Sequence, residues 1–254
     1  MIPGDHDLAP SSRAPLRPGT LYVVATPIGN LEDITLRALR TLGEADLILC
    51  EDTRHTGRLM HALGLKRPLL SLHKFNERSR EERIISELAD GKKVALVSDA
   101  GSPGISDPGG ALVGSVWEAG YRVESVPGPC AVIAGMGISG FAGDRFHFLG
   151  FLPVKRGQRA QMLDAAVSMD CPVVIYESPY RILKLMDELN QRVPDRWVVV
   201  CRELTKKFEE AVRGSVVDVE ERLKSKKPRG EYVVVLNVPS RKRSTREEDL
   251  SSRM

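Results

Sequence analysis

The sequence predicts an α/β protein of two domains with mostly parallel sheets, and three observations carry that prediction. Short apolar runs alternate along the chain with stretches whose apolar residues recur at spacings of three and four. The runs are nearly continuous in Val, Ile and Leu, as strands covered on both faces require. Loops rich in Gly, Pro and polar residues follow the runs, which is where open α/β sheets bind ligands.

Residues 1–19 hold four prolines and little periodicity and read as a flexible leader. Strands are then expected at LYVVAT (21–26), ADLILC (45–50), VALVS (94–98), YRVESV (121–126), CPVVIY (171–176), WVVVCR (197–202) and EYVVVLNV (231–238). Helical patterns fall between them at Asp33–Leu42, Thr53–Leu63, Asn76–Ala89 and Tyr180–Val193, with Ile84, Ile85 and Leu88 marking one apolar stripe. Four glycines between Gly135 and Gly143 separate a first set of strands from a second. The expected division is therefore an N-terminal α/β domain at 20–140, a C-terminal α/β domain at 141–238 and a charged tail at 239–254.

Composition bounds the function. At 254 residues, 42% hydrophobic and 28% charged, the chain can bury a core and is not a disordered or fibrous protein. No apolar run approaches the roughly 18–20 residues of a membrane span, and no signal peptide is expected. Cys50, Cys130, Cys171 and Cys201 match neither a zinc pattern nor a disulfide-dense fold, and no H-E-x-x-H occurs. The cysteines read as buried apolar residues in a reducing, cytoplasmic setting, and no metal is expected. Of the net charge of +3, the tail supplies +2, so bulk charge does not argue for a nucleic-acid partner. Arg222, Lys224, Lys226, Lys227 and Arg229 form an acid-free basic stripe, which fits either a helix end near its own carbonyls or phosphate binding.

Three loops carry the chemistry. SDAGSPGISDPGG (98–110) follows a strand and combines four glycines and two prolines with Ser98, Asp99, Ser102, Ser106 and Asp107. Glycine lets backbone approach a ligand closely and proline fixes the loop, so Asp99–Ile105 read as a ligand cradle, while Asp107 and Pro108 read as the start of a helix. TPIGNLEDIT, with Asp33 or Thr35 as a helix cap, and VPGPCA, with its rigid Pro127-Gly128-Pro129 turn, follow the first and fourth expected strands. The literal G-x-G-x-x-G at Gly135, Gly137 and Gly140 follows a helical stretch and is rejected as a dinucleotide fingerprint; no P-loop is present. Further polar groups gather in CEDTRHT (50–56), LHKFNER (72–78) and YESPYR (176–181), with Asp52 and Asn76 as candidate helix caps.

Together ATPIGNLEDITLRAL, CEDTR, SDAGSPGISDPG, VPGPCA, FLPVKR, YESPYR and RELTKKFEE, in this order across residues 20–238, resemble the bacterial 16S rRNA cytidine-1402 2′-O-methyltransferases of the tetrapyrrole methylase superfamily. The resemblance implies a homodimer of two-domain subunits, S-adenosylmethionine in a cleft between the domains, and methyl transfer to a ribose hydroxyl of the small ribosomal subunit. By motif position it implies cofactor contacts from Pro27, from Ser98, Asp99, Ala100, Gly101, Ser102 and Ile105, and from Cys130 and Ala131. Tyr176, Glu177, Leu204 and Gly230 complete that set. Arg54, Asn76 and Glu77 are expected to line the acceptor side. RNA contacts are expected from Arg54, Lys74, Arg78, Lys155, Arg156, Arg181, Lys206 and Lys207, since backbone charge dominates RNA affinity, with Phe75, Tyr176 and Tyr180 as candidate stacking rings. Ser102 and Gly104 depart from the family's usual Thr and bulky aliphatic residue. Two other readings remain open: a superfamily methyltransferase acting on a small tetrapyrrole, for which TPIGNLEDIT is the wrong loop, and a non-catalytic RNA-binding protein, which predicts no cofactor binding.

Overall fold

A computed structural model of the chain describes residues 15–73, 76–141 and 144–239. The chain divides into two compact units, Met1–Ala131 and Val132–Met254.

The first unit is built on β1 (Thr20–Val24), β2 (Leu47–Cys50), β3 (Leu69–Ser71), β4 (Lys93–Leu96) and β5 (Arg122–Val126). They lie in the order β3-β2-β4-β1-β5, and every pairing is parallel. Parallel neighbours need crossover connections, and here α1 (Leu36–Glu44), α2 (Thr53–Ala62), α3 (Glu77–Ala89) and α4 (Gly110–Glu118) supply them. Leu21 and Leu96 pack with Ile84, Leu88, Leu112 and Val116 on one face; Tyr22 and Ala95 pack with Ala38, Leu42 and Met60 on the other. Both faces are dry over β1, β2 and β4, which is why these strands are nearly continuous in apolar residues, whereas the edge strand β5 carries Arg122, Glu124 and Ser125. Leu16 also packs against the second face, and the Arg17 N–H donates to the Tyr22 hydroxyl at 2.6 Å. Residues 15–19, expected in the leader, are thus tied to the core; residues 1–14 and 240–254 lie outside the described residues.

The second unit holds α5 (Ala131–Ser139, its first residue belonging to the first unit), β6 (His147–Phe151), α6 (Arg156–Val167), β7 (Val173–Glu177), α7 (Ile182–Asn190), β8 (Trp197–Arg202), β9 (Glu210–Ser215), α8 (Val216–Lys224) and β10 (Tyr232–Leu236). Its order is β6-β7-β10-β8-β9. Only β6–β7 is parallel; β7–β10, β10–β8 and β8–β9 are antiparallel. The α/β class holds, but the expectation of a mostly parallel sheet applies to the first unit alone. The reason lies in the connections: residues 203–209 between β8 and β9 contain no helix, so the chain turns back on itself.

One face of this sheet packs Val198, Val200, Val234 and Leu236 against Leu163, Leu185, Met186, Val216 and Val219. The opposite face meets α5 at Gly135, where an added Cβ would lie 2.8 Å from Val233 Cγ1. That glycine serves close helix–strand packing, consistent with rejecting a dinucleotide loop.

Candidate active site

In the first sheet β1 lies between β4 and β5, so the loops that follow these three strands emerge side by side. Beyond the end of β1 the backbone continues to pair. The Ala25 N–H donates to Val126 O at 3.1 Å, the Thr26 N–H to Gly101 O at 2.9 Å, and the Gly101 N–H returns to Thr26 O at 3.0 Å. Thr26 Oγ1 donates to Ser98 O at 3.3 Å and Ser102 Oγ to Pro129 O at 3.4 Å. The three motif loops are therefore one hydrogen-bonded assembly.

The 98–110 loop needs unusual backbone. Gly101, Gly104, Ser106 and Gly109 all have positive φ, and at Gly101 (φ +79°) an added Cβ would stand 3.3 Å from Ile28 Cγ2. Ser106 at φ +68° is a strained conformation for a residue with a Cβ. Ser98, Gly101 and Pro27 are buried, Asp99 and Ser102 are half-buried, and Ala100 and Ile105 are exposed. This gives a rigid ledge of carbonyls, amides and apolar atoms with one carboxylate, Asp99, whose Oδ1 accepts the Asp52 N–H at 3.3 Å. Cys130 and Ala131, both half-buried, close the Pro127–Pro129 turn. A sulfonium loses its charge on methyl transfer, so a cradle of carbonyls and apolar atoms suits it better than a strong anion that would hold the ground state.

Local caps set the helices around the ledge. Thr35 Oγ1 caps α1 through the Ala38 N–H at 3.0 Å, leaving Asp33 with a buried Oδ2 that has no partner. Asp52 caps α2 at the Arg54 N–H (2.8 Å) and also receives the Arg54 guanidinium in a fork at 3.1 and 2.8 Å. The exposed Arg54 holds the Asp52 carboxyl well below the usual range, and its own pKa is raised in return.

Asn76 is the N-cap residue of α3, but its side chain works on the preceding loop, accepting the His73 N–H at 2.8 Å and donating to Ser71 O at 3.3 Å. Glu77, expected on the acceptor side, is buried, and its Oε1 accepts the Leu112 N–H of α4 at 2.9 Å. The start of α4 also differs from expectation. Its cap position is Gly109 and not Asp107, and Glu77 provides the capping oxygen from α3. Lys74 and Phe75 lie outside the described residues; Arg78 is exposed.

In the second unit Glu177 is the centre of a buried ionic network. Its Oε2 meets Arg159 Nη1 at 3.2 Å and its Oε1 meets Arg181 Nε at 2.8 Å and the Ser178 N–H at 2.8 Å. Arg159, 2% exposed, also reaches Glu188 at 2.6 Å, and Arg181 donates to Leu152 O at 3.0 Å. The network clamps the loop after β6 to the loop after β7. Arg159 escaped the sequence reading, because one Arg on an amphipathic helix reads as a solvated charge.

Tyr176 stacks edge-on with Phe148 and Phe151 at centroid distances of 4.9 and 5.7 Å, whereas Tyr180, Lys155 and Arg156 are exposed. After β8, Glu203 (φ +53°) and Thr205 (φ +67°) bracket buried Leu204. Gly230 (φ +78°) passes so close that an added Cβ would lie 2.5 Å from the Glu203 carboxyl group. Burial opposes ionisation of Glu203, but the Lys206 ammonium at 2.9 Å and the Glu231 N–H at 3.0 Å outweigh it and lower its pKa. Lys206 also pairs with Glu231 at 2.7 Å, while Lys207 is exposed above the Phe208 ring.

Residues 20–220 match the family model for tetrapyrrole (corrin/porphyrin) methylases. A Thermotoga maritima protein described as ribosomal RNA small subunit methyltransferase I is 46% identical over 86% of this chain and 98% of its own length. The chain belongs to that family. A Haemophilus influenzae protein of the same description is 42% identical over 92% of this chain and 83% of its own. As a member, the chain is an S-adenosylmethionine-dependent methyltransferase.

Solved structures agree on the fold. A diphthine synthase superimposes with a TM-score of 0.68 at 17% identity, covering 86% of this chain and 89% of that one. A Thermus thermophilus uroporphyrin-III C-methyltransferase, complexed with S-adenosylhomocysteine, gives 0.60 at 22% identity, covering 86% and 96%. Among the described residues, no His, Cys, Asp and Glu cluster could hold a metal ion, and no helix is long and apolar enough to cross a membrane.

Proposed function

We propose that this protein methylates 16S rRNA, transferring a methyl group to the ribose 2′-hydroxyl of cytidine 1402 in the decoding region. The observation that carries the reading is similarity over 86–92% of the chain, at 42–46% identity, to proteins described as ribosomal RNA small subunit methyltransferase I. S-adenosylmethionine, when bound, supplies an electrophilic methyl group on a sulfonium.

In this reading the first unit contributes Pro27, the ledge from Ser98 to Ser102, Ile105, Cys130 and Ala131 to cofactor binding; the second contributes Tyr176, Glu177, Leu204 and Gly230. The ledge is preorganised by its pairing with Thr26, so little loop entropy is lost on binding. A ribose hydroxyl is a weak nucleophile, and holding it in a near-attack geometry provides most of the rate. On this reading Arg54 and Asn76 line the acceptor side, with the exposed Arg54 guanidinium available to a phosphate. Glu77 acts as a positioning residue, holding the start of α4 and with it the end of the ledge. Arg78, Lys155, Arg156, Arg181, Lys206 and Lys207 are the further RNA contacts, Arg181 and Lys206 also serving the ion pairs already described. The enzyme works in the cytoplasm as a homodimer.

The test is incubation with radiolabelled S-adenosylmethionine and small ribosomal subunits from cells lacking the modification, followed by mapping of the label. Label in a 2′-O-methylcytidine at position 1402 is expected. Cofactor binding with no label on the subunit would move the acceptor elsewhere.

A further inference from the structure

A pocket of about 410 Å³ opens in the second unit under the C-terminal end of α8. Its floor is Val200 and Arg202 of β8 with residues 210–213 of β9, and its rim is Arg222 and Leu223 of α8 with Ser225–Pro228. Arg202 pairs across the ladders with Glu210 on one side and Tyr232 on the other, so these three share the α8 face of the sheet. Arg213 belongs to the opposite face. Its register partner is Val199, and its guanidinium donates to Ser139 O and lies over Phe141 and Trp197. The cations at the pocket are therefore Arg202, Arg222, Lys226 and Lys227.

Their only acidic neighbour in the lining, Glu210, is already engaged by Arg202 and Lys226, each at 3.2 Å. Arg222 and Lys227 are exposed and form no ion pair among the described residues. Arg202 Nε is buried with no acceptor. A buried donor without a partner costs free energy, and an anion in the pocket would supply what is missing. Helix-end electrostatics explain cations near the α8 carbonyls, but not a pocket with an orphaned guanidinium N–H in its floor.

We propose that this pocket and its rim hold the phosphodiester backbone of the RNA substrate at two to three successive phosphates, remote in sequence from the three loops of the first unit. The proposal rests on the rRNA reading above and gives the basic stripe its role: two to three phosphate contacts that strengthen RNA binding without contributing to methyl transfer.

The test uses the full-length protein, the R222Q/K227Q variant and, as control, K66Q, an exposed lysine of the first unit. Binding of a labelled single-stranded RNA of about 20 nucleotides is followed by fluorescence anisotropy across a salt series. Losing two phosphate contacts lowers the slope of log affinity against log salt by about 1.4, which weakens binding about 25-fold at ~0.1 M salt. Unchanged melting temperature and S-adenosylhomocysteine affinity establish that the variant is folded. RNA affinity and slope equal to wild type, or a loss no larger than that of K66Q, overturn the proposal. Inorganic phosphate is titrated in parallel. If the variant loses phosphate binding while keeping RNA affinity, the pocket is a free-anion site and the proposal fails. Methyl transfer by the wild-type protein to small subunits is scored separately, so failure of the rRNA reading shows as absent transfer whatever the variant does.

Discussion

Replacing Glu77 by alanine should destabilise the first unit, and the size of the effect separates a helix cap from a catalytic carboxylate. The Glu77 Oε1 is the acceptor for the Leu112 N–H, the third donor of α4, in a buried position. Leaving that donor unpaired costs about 1–3 kcal/mol. Removing a carboxylate from a helix N-terminus adds about 0.3–1 kcal/mol. The sum, about 1.3–4 kcal/mol, corresponds to roughly 3–16 °C in melting temperature for a chain of this size. Glu77→Gln retains an acceptor oxygen and loses only the charge, so a drop of about 1–3 °C is expected. Thermal unfolding by circular dichroism, S-adenosylhomocysteine affinity by calorimetry and single-turnover methyl transfer decide the matter. An alanine variant that melts with wild type would refute the capping argument. A glutamine variant that melts normally yet loses turnover by ~100-fold or more would place the carboxylate at the reacting atoms.

Gly135→Ala forces a Cβ to within 2.8 Å of Val233 and should cost about 1–3 kcal/mol in denaturant unfolding, with the cofactor ledge of the first unit unaffected. Gly230→Ala meets both a positive φ and the Glu203 carboxyl group, so it should displace the 203–209 loop and weaken S-adenosylhomocysteine binding more than Gly64→Ala, which has a positive φ but open space. Arg159→Ala leaves Glu177 and Glu188 short of their buried partner and should lower stability by about 3–5 kcal/mol, measured by urea unfolding. Burial pushes the Cys201 thiol up to about 11, so native protein at pH 8 should show labelling of half-buried Cys130 and Cys171 by a disulfide reagent, but not of Cys201 or Cys50. Because the folded state favours the protonated thiol, the contribution of Cys201 to stability is present below about pH 9 and falls as pH rises toward 11. A pH titration of the unfolding midpoint with Cys201→Ala as reference checks that sign.

The local and repetitive part of this protein is legible in its amino-acid order alone. The continuous apolar runs at 21–26, 45–50 and 94–98 became β1, β2 and β4, dry on both faces, and helices began within three residues of the expected starts at α1, α2, α3 and α7. Thr35 and Asp52 cap as short polar side chains before a helix do, and the glycine- and proline-rich 98–110 loop stands at the end of β4.

Tertiary structure decided what depends on partners distant in the chain. β3, β6 and β9 are short or interrupted by Gly and polar residues, so their extended form is held by ladder bonds to β2, β7 and β8. The antiparallel second sheet follows from a helix-free turn between β8 and β9, which an apolar pattern does not encode. Glu77, expected on the acceptor side, caps a helix 35 residues away, and Arg159 and Glu177 pair across 18, because the nearest acceptors and donors are settled only once the chain is packed.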